Sequence, residues 1–323
     1  MVIGYYVHHH GAGHLTRARL IAQGLRARGH DVVLLGSALG AGAGVGVVLP
    51  RDDTPAPFVD ETADQAMHWA PRGHLGYTGR MGAVATWVLT HRPSVVVVDV
   101  SVEVATLVRV LGFPVVVVAQ PGERTDAAHT LMFRCATAIL APWPPEAGPC
   151  PALSPFVDKV FCVGGICAPA ATSPPEAPHL QVVLSGRDGW DTSSGASPVE
   201  HLGGHGRWTV VGGGHWVDGM ASTLARARVV VSHGGQNAIA DIAAAGTPAV
   251  VWPQHRPHAE QDHLGAELHR MGLATVVRGP RPDLEQWRSA VGRALAQPNS
   301  WPRWHTQGAV ERAVAVIQDV ARG

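Results

Sequence analysis

The stretch VVVSHGGQNAIADIAAAG, residues 229–246, joins a β-branched run to an Ala-rich helical segment that ends at Gly246. A strand that passes through two glycines straight into a helix leaves unpaired backbone N–H groups and the positive end of the helix dipole at one point. Such a point binds phosphate well. The stretch therefore predicts an α/β domain with an anion site where the helix begins.

Polar residues downstream extend this prediction to a nucleotide sugar. Asp241 lies about one and a half turns into the helix, where its carboxylate could contact the hydroxyls of a ribose. Glu260 and Gln261 follow the next apolar strand, 249–252, and offer an acid and an amide to several sugar hydroxyls. The order along the chain is phosphate, ribose and sugar.

Residues 229–277 resemble the nucleotide-sugar signature of the GT-B glycosyltransferases, which include family 28 and the UDP-glycosyltransferases. The run Gly235-Gln236-Asn237, with Asp241, is similar to the Gly-Trp-Asn…Glu segment of the UDP-glycosyltransferases. Residues 242–248, IAAAGTP, are similar to a helix end in the transferases that add N-acetylglucosamine to lipid-linked peptidoglycan precursors. The sequence departs from the pattern at Asp241, where the family usually has Glu, and at Ala238, where it often has Ser or Thr.

This resemblance implies a fold and a donor site. The fold would be α/β of the GT-B type, with two Rossmann-like doubly wound domains that face each other across a cleft. Val217 would contact the nucleobase through its backbone, and Arg187 would lie beside the diphosphate. The implied donor-binding residues are Gly13, Ser185, Arg187, Trp216, Val217, Met220, His233, Gly234, Gly235, Gln236, Asn237, Asp241, Glu260 and Gln261.

The N-terminal loop HHHGAGH, residues 8–14, carries the second part of the chemistry. Its glycines let the backbone approach a ligand closely. In the UDP-glycosyltransferases this loop ends in Gly-His and the histidine is the general base, so the resemblance implies that role for His14. A neutral imidazole near pH 7 suits the removal of a proton from a sugar hydroxyl. Asp99, at the end of a predicted strand, is the first candidate to hold the ring, and Glu103 is the alternative.

Composition limits the class of protein. The chain has 323 residues, 46% hydrophobic and 15% charged, which is enough to bury two cores of ordinary size. The formal net charge is +0 and dense Lys/Arg blocks are missing, so nucleic-acid binding is not expected. Without a CxxC pair or a secretory signal, a cytoplasmic protein with reduced thiols is expected. The apolar runs are too short to cross a bilayer, so any membrane contact would be peripheral.

Strand-like and helix-like periods alternate along the chain as in a doubly wound sheet. A segment rich in Gly, Pro, Ala and Ser interrupts this alternation and suits a hinge. We therefore expect an N-terminal acceptor-binding domain at 1–164, a linker at 165–178 and a C-terminal nucleotide-sugar domain at 179–323. The last amphipathic stretch, 301–320, resembles the GT-B helix that crosses back onto the first domain, and an ordinary capping helix is the alternative.

Histidines are numerous, but their spacing does not predict a metal site. His8, His9 and His10 are adjacent, and adjacent residues on a strand point to opposite faces, so they make a poor ligand set. A second group is expected to consist of exposed loop residues. Its members are His255, His258 and His263.

The predicted activity is an inverting, metal-independent glycosyl transfer from a UDP- or dTDP-sugar to an acceptor hydroxyl, without a cofactor. The acceptor would be a small molecule or lipid-linked, and residues 50–80, with Trp69 and Trp87, would shape its pocket. Two alternatives remain. Gly11 to Arg17 also resembles the Gly-x-Gly-His-x-x-Arg segment of nucleotide-sugar hydrolases of the pseudaminic acid pathway, in which the histidine activates water. The other is a catalytically silent GT-B accessory subunit, although such a copy has no chemical reason to keep His14.

Overall fold

Runs of four valines form two neighbouring strands of the first sheet. The computed structural model describes residues 1–9, 12–40, 44–169, 180–184, 208–212, 219–279 and 282–323. In this part of the chain the first sheet has seven strands in the order β3-β2-β1-β4-β5-β6-β7, and every adjacent pair is parallel. Its strands are β1 (Val2–Val7), β2 (Asp31–Gly36), β3 (Gly46–Val48), β4 (Val95–Asp99), β5 (Val115–Val118), β6 (Ala138–Ala141) and β7 (Val160–Cys162).

The strand order of the first sheet reverses between β1 and β4, which places a crevice at their carboxyl ends. Helices cover the sheet, as the buried valine strands require. Ser101 caps the helix that follows β4, since its Oγ accepts a hydrogen bond from the N–H of Val104 at 3.1 Å. The helices are α1 (Ala12–Ala27), α2 (Leu75–His91), α3 (Val102–Val110) and α4 (Ala127–Cys135).

The second sheet is also parallel, with five strands in the order β12-β11-β10-β8-β9 within the described residues. The strands are β8 (Leu180–Leu184), β9 (Trp208–Val211), β10 (Ala227–Ser232), β11 (Ala249–Val251) and β12 (Thr275–Val276). The helices are α5 (Met220–Ala225), α6 (Gln236–Ala245), α7 (Glu260–Arg270) and α8 (Leu284–Ala296). Two parallel α/β sheets confirm the predicted fold class.

The glycine-bearing turn between β10 and α6 has the form that its sequence predicts. Gly235 caps α6 in an extended conformation, and Gly246 ends the helix in the left-handed region with φ of 69°. Gly234 has φ of 85°, which favours glycine at this position. The turn therefore delivers the chain from the end of β10 directly into the first turn of α6.

The last helix, α9 (Ala309–Arg322), packs on the first domain. Val314 and Ile317 share a buried core with Ile21 and Leu25 of α1. Among the described helices, none combines the length and apolar character needed to span a membrane.

Candidate active site

His14 and Asp99 meet at the crevice between β1 and β4. His14 lies in the first turn of α1, and Asp99 is the last residue of β4. The His14 Nδ1 atom lies 2.8 Å from Asp99 Oδ1; the carboxylate side chain is 0% exposed and the imidazole 18% exposed. An ionised carboxylate only accepts hydrogen bonds, so we assign the imidazole proton to Nδ1. Arg17 Nη2 lies 3.2 Å from the same nitrogen, and its hydrogen bond goes to Asp99 Oδ1 at the shorter distance of 2.7 Å. This leaves Nε2 of His14 as a proton acceptor.

Two further side chains hold the Asp99 carboxylate. Arg17 donates from Nε and Nη2 to its two oxygens at 2.9 and 2.7 Å, and the Tyr5 hydroxyl donates at 3.3 Å. Burial alone raises the pKa of Asp99, but the charges and hydrogen bonds of Arg17 and His14 outweigh it and hold that pKa well below its usual range. Burial and the Asp99 charge raise the pKa of Tyr5. Asp99 therefore stays ionised and Tyr5 stays a donor.

The alternative partner, Glu103, does not contact His14. Its Oε1 accepts hydrogen bonds from the backbone N–H groups of His68 and Trp69 at 2.8 and 3.0 Å, and its Oε2 accepts one from Ser101 Oγ at 2.9 Å. Glu103 thus anchors the loop at 68–69. The geometry selects Asp99 as the carboxylate that orients His14.

The N-terminus of α6 faces this pair from the second domain. Asn237 Nδ2 donates to the Gly13 carbonyl at 2.8 Å. A Cβ atom on Gly13 would lie 3.2 Å from the Asn237 side chain, so the glycine permits the close approach of α1 and α6. Neither helix has an acidic residue in its first turn. Two positive helix ends therefore meet where sequence analysis places the diphosphate.

Gln236 carries an amide N–H group that no described residue satisfies. Its side-chain carbonyl accepts a hydrogen bond from Arg17 Nη1 at 2.8 Å, whereas its Nε2 is buried without a partner. The residue is only 8% exposed. Buried polar groups in proteins nearly always have a partner, so this orphan donor indicates a ligand that accepts hydrogen bonds.

His233 and Gln261 bond to each other inside the second domain. His233 Nδ1 accepts from the Gly235 N–H at 3.1 Å and from Gln261 Nε2 at 3.0 Å. Gln261 Oε1 accepts from the Gln254 N–H at 2.9 Å. Burial and the nearby Arg256 lower the pKa of His233 to about 4, so its ring is neutral at pH 7. The two side chains thus join the turn at 233–235 to the segment at 254–261, and these hydrogen bonds are all to protein groups.

Glu260 joins the two domains. Its Oε2 lies 3.4 Å from Nη2 of Arg124 in the first domain. Beside this pair the Glu123 N–H donates to the His258 carbonyl at 2.7 Å. A Cβ atom on Gly122, whose φ is 106°, would lie 2.3 Å from that carbonyl oxygen, so the loops meet only because Gly122 has no side chain.

The remaining donor-site predictions divide into described and undescribed positions. Asp241 lies in the second turn of α6, and burial raises its pKa to about 6. Met220 begins α5 and is partly buried. Four predicted residues lie outside the described part of the chain. They are Ser185, Arg187, Trp216 and Val217.

A cavity in the first domain, with about 680 Å³ of empty space including its mouth, is lined by Val100, which follows Asp99, and by His8, whose ring lies against that of His14. Its apolar lining is Tyr6, Trp69, Tyr77, Met81, Val102, Val104, Val118, Met132 and Phe133. Gln120 Nε2 is buried at this cavity without a described partner. Trp69 thus lies where the acceptor pocket is predicted. Trp87 instead packs in the core, where a Cβ on Gly4 would lie 2.7 Å from its ring, so its inclusion in the pocket is wrong.

Three histidines, of which His68 and His129 line this cavity, bring one ring nitrogen each within 4.8 Å of the others: His68, His129 and His258. Asp126 accepts from His68 Nε2 at 2.9 Å and from His129 Nδ1 at 2.5 Å. Arg124 Nη1 donates to His129 Nε2 at 3.0 Å. A guanidinium thus takes the lone pair that a metal ion would need, and the cluster fits a hydrogen-bond network.

Sequence analysis missed roles for Arg17 and Tyr5. Arg17 appears in the sequence only as the end of a motif, although its i+3 spacing from His14 on a helix places the two side chains on one face. Tyr5 is a buried strand residue with no polar signal around it.

His8, with a ring centroid 5.9 Å from that of His14, lines the cavity, and His10 lies outside the described residues.

Comparisons with known proteins agree with this architecture. Residues 178–302 match the family model described as the glycosyltransferase family 28 C-terminal domain. A relative from Salmonella typhi, UDP-N-acetylglucosamine--N-acetylmuramyl-(pentapeptide) pyrophosphoryl-undecaprenol N-acetylglucosamine transferase, is 35% identical over 101 residues. That alignment covers 31% of this chain and 26% of the relative, so it spans only a minor part of the relative's length.

Solved structures match over the whole chain. The glycotransferase of kitacinnamycin has a TM-score of 0.70 and 17% identity, covering 99% of this chain and 98% of that one. The glycosyltransferase VinC, solved in complex with dTDP, has a TM-score of 0.67 and 13% identity, covering 100% of both chains. At such identities the likeness shows the fold. The chain thus has the two-domain α/β fold of these glycosyltransferases, and its residues 178–302 match a family 28 C-terminal domain.

Proposed function

We propose that the protein transfers a sugar from a nucleoside diphosphate sugar to an acceptor hydroxyl, with His14 as the general base. The observation that carries this proposal is the imidazole itself. Asp99 accepts its Nδ1 proton at 2.8 Å, while its Nε2 is left to accept a proton. The ring is adjacent to the N-terminus of α6, because neighbouring Gly13 bonds to Asn237. A base held this way suits a hydroxyl that attacks a donor bound at α6.

The donor diphosphate would bind the first turn of α6. Three groups would bind it there: the backbone N–H groups that begin α6, the Nε2 atom of Gln236 and the positive end of the helix dipole. The folded protein holds all of them in place before the reaction. Fixed donors stabilise the charge that develops on the leaving diphosphate, which is the role a divalent cation has in other transferases. Asp241 would hold the ribose, and Glu260 and Gln261 the sugar. UDP and dTDP are both candidates, since VinC was solved with dTDP and the Salmonella relative is named for a UDP-sugar.

The acceptor would occupy the first-domain cavity, whose lining combines aromatic and other apolar side chains with polar ones such as Gln120 and Arg124. His14 Nε2 takes the hydroxyl proton while the acceptor oxygen bonds to the anomeric carbon. The bond between that carbon and the diphosphate oxygen breaks, and its electron pair leaves with the diphosphate. Attack by the acceptor oxygen in line with the departing diphosphate oxygen would invert the anomeric configuration.

Two experiments test this proposal. Labelled UDP- and dTDP-sugars are first incubated without acceptor and then with an acceptor library, and products are identified by mass spectrometry. Glycosylated acceptor supports transfer, and rapid release of free sugar without acceptor supports the hydrolase. Nucleotide binding without any turnover supports a silent subunit.

The second experiment compares His14→Ala with His269→Ala, a control at an exposed position of α7. Loss of the base is expected to lower turnover by about 10²–10⁴-fold, while nucleotide affinity stays nearly unchanged. The control should retain both. A large loss of nucleotide binding in His14→Ala would place His14 in the diphosphate site and remove it as the base.

A further inference from the structure

One buried guanidinium contacts both halves of the proposed site. The Arg17 side chain is 2% exposed and donates from Nε and Nη2 to Asp99 of the first domain at 2.9 and 2.7 Å. Its Nη1 donates to Gln236 Oε1 at 2.8 Å and lies 3.5 Å from Asn237 Oδ1, both in the first turn of α6. The planar guanidinium of an arginine can donate to the Asp99 carboxylate and the Gln236 carbonyl at the same time, whereas the compact ammonium of a lysine cannot make both sets of hydrogen bonds.

The contact with Asp99 determines what Asp99 can do for His14. Asp99 Oδ1 is shared by His14 Nδ1 and Arg17 Nη2. The guanidinium balances the buried carboxylate charge, which would otherwise be available only to the imidazole. It therefore keeps Asp99 ionised, so that the carboxylate accepts the Nδ1 proton of His14 and orients the ring.

The contact with Gln236 determines which end of its amide faces the crevice. A guanidinium has donors and no acceptor, so it can bond only to the carbonyl oxygen of the amide. This fixes the amide orientation and leaves Nε2 as the group without a described partner. Arg17 thus turns a hydrogen-bond donor toward the place proposed for the diphosphate.

We propose that Arg17 is a positioning residue that sets the His14–Asp99 base and the Gln236 phosphate donor together, so that donor binding on α6 and the base in the first domain stay aligned. This inference rests on the proposed function for its catalytic part. Arg17 acts through Asp99 and Gln236: Asp99 orients His14, whose Nε2 would meet the acceptor hydroxyl, and Gln236 would bond to the diphosphate.

The test compares Arg17→Met, Arg17→Lys and Gln236→Met with Arg26→Met, a control that removes the same charge from the last turn of α1. Arg17→Met is expected to lower kcat by about 100-fold, the cost of misplacing a catalytic group. The acid limb of kcat/KM against pH should move to higher pH, because an unopposed Asp99 stabilises the imidazolium. Among the described residues, the titratable groups beside His14 are Asp99, Arg17, His8 and, through its bond to Asp99, Tyr5; only Arg17 changes in this variant. Arg17→Lys should restore the acid limb.

Affinity for UDP or dTDP by calorimetry is the second readout. Arg17→Met, Arg17→Lys and Gln236→Met should all bind nucleotide more weakly than wild type, and Gln236→Met should do so without moving the acid limb. An Arg17→Met enzyme with wild-type kcat, acid limb and nucleotide affinity overturns the inference. If Arg17→Met does not fold, wild-type nucleotide affinity in both Arg17→Lys and Gln236→Met overturns it.

The same design separates this inference from the proposed function. If the wild-type protein transfers no sugar to any acceptor, the proposed function is wrong, but the positioning role of Arg17 is still open to test. NMR titration of the His14 ring in wild type and Arg17→Met then still decides the inference, since the ring should take its proton at higher pH in the variant. Unchanged ring titration refutes the positioning role.

Discussion

Replacing Asp99 with Asn tests the buried ion pair at the centre of the site. Asp99 is 0% exposed and Arg17 2% exposed, and two hydrogen bonds of 2.9 and 2.7 Å join them. Asn keeps the shape of the side chain but removes its charge, so the guanidinium stays buried without a counter-charge. Breaking a buried pair in this way costs about 3–5 kcal/mol. We expect the free energy of unfolding at pH 7 to fall by that amount.

Urea unfolding, followed by tryptophan fluorescence and circular dichroism, measures this loss. Asp319→Asn is the control, since that carboxylate is 76% exposed in a surface pair and should change stability by less than about 1 kcal/mol. The double variant Asp99→Asn with Arg17→Met removes both charges, so its loss should be smaller than the sum of the single losses. Additive losses, or an Asp99→Asn protein within about 1 kcal/mol of wild type, would refute the reasoning.

The pH dependence gives the same pair a second signature. The pKa of Asp99 lies well below its usual range in the folded protein, because Arg17 and His14 outweigh the effect of burial. The stability it contributes is therefore present above the unfolded pKa of about 3.9 and is lost as the pH falls below that value. Asp99→Asn should lack this acid-side decline. An equal decline in both proteins would mean that other carboxylates account for it.

Three further predictions concern the donor site and the cavity mouth. Burial raises the pKa of Asp241 to about 6, so stability should decline as the pH rises from about 4 to 6. Urea unfolding of Asp241→Asn at several pH values should lack this decline. The same decline in wild type and variant would contradict the raised pKa. Gln261→Met leaves the buried Gln254 N–H without its acceptor and should lower the free energy of unfolding in urea by about 1–3 kcal/mol. An unchanged free energy of unfolding would mean that Gln261 does not stabilise the loop. Burial, opposed by Asp126, lowers the pKa of His129 to about 4, so stability should fall as the pH drops from about 6.5 to 4. The Tm of His129→Gln should change less with pH over that range than the Tm of wild type, and an equal change in both proteins would contradict the prediction.

The parts of the fold that follow local periods could be predicted from the sequence. Continuous valine runs give buried parallel strands, and Ser101 and Gly246 mark helix ends through their own backbone chemistry. The two candidate partners of His14, Asp99 and Glu103, are four positions apart and chemically alike. Only the end of β4 distinguishes them, because it turns Asp99 into the crevice while Glu103 begins α3 and bonds to the 68–69 loop.

Contacts between distant segments could not be predicted, since nothing in either segment signals the other. Arg17 and Gln236 are separated by 219 positions, and their hydrogen bond exists only because the two domains meet at α1 and α6. Gln261 and His233 are separated by 28 positions within one domain. The sequence indicates an amide suited to a sugar, but the fold gives that amide two protein partners.

The backbone between Asp99 and α3 shows how strongly the site is held. Val100 has φ of 61°, a left-handed conformation that a β-branched residue rarely adopts. Such a conformation costs about 1–3 kcal/mol and persists only where its surroundings fix it. Both neighbours are fixed here, Asp99 by Arg17 and His14, and Ser101 by the cap bond to Val104. The strain thus lies between the carboxylate bonded to His14 and the helix that lines the first-domain cavity, so the ion pair with Arg17 stabilises the turn as well as the charge.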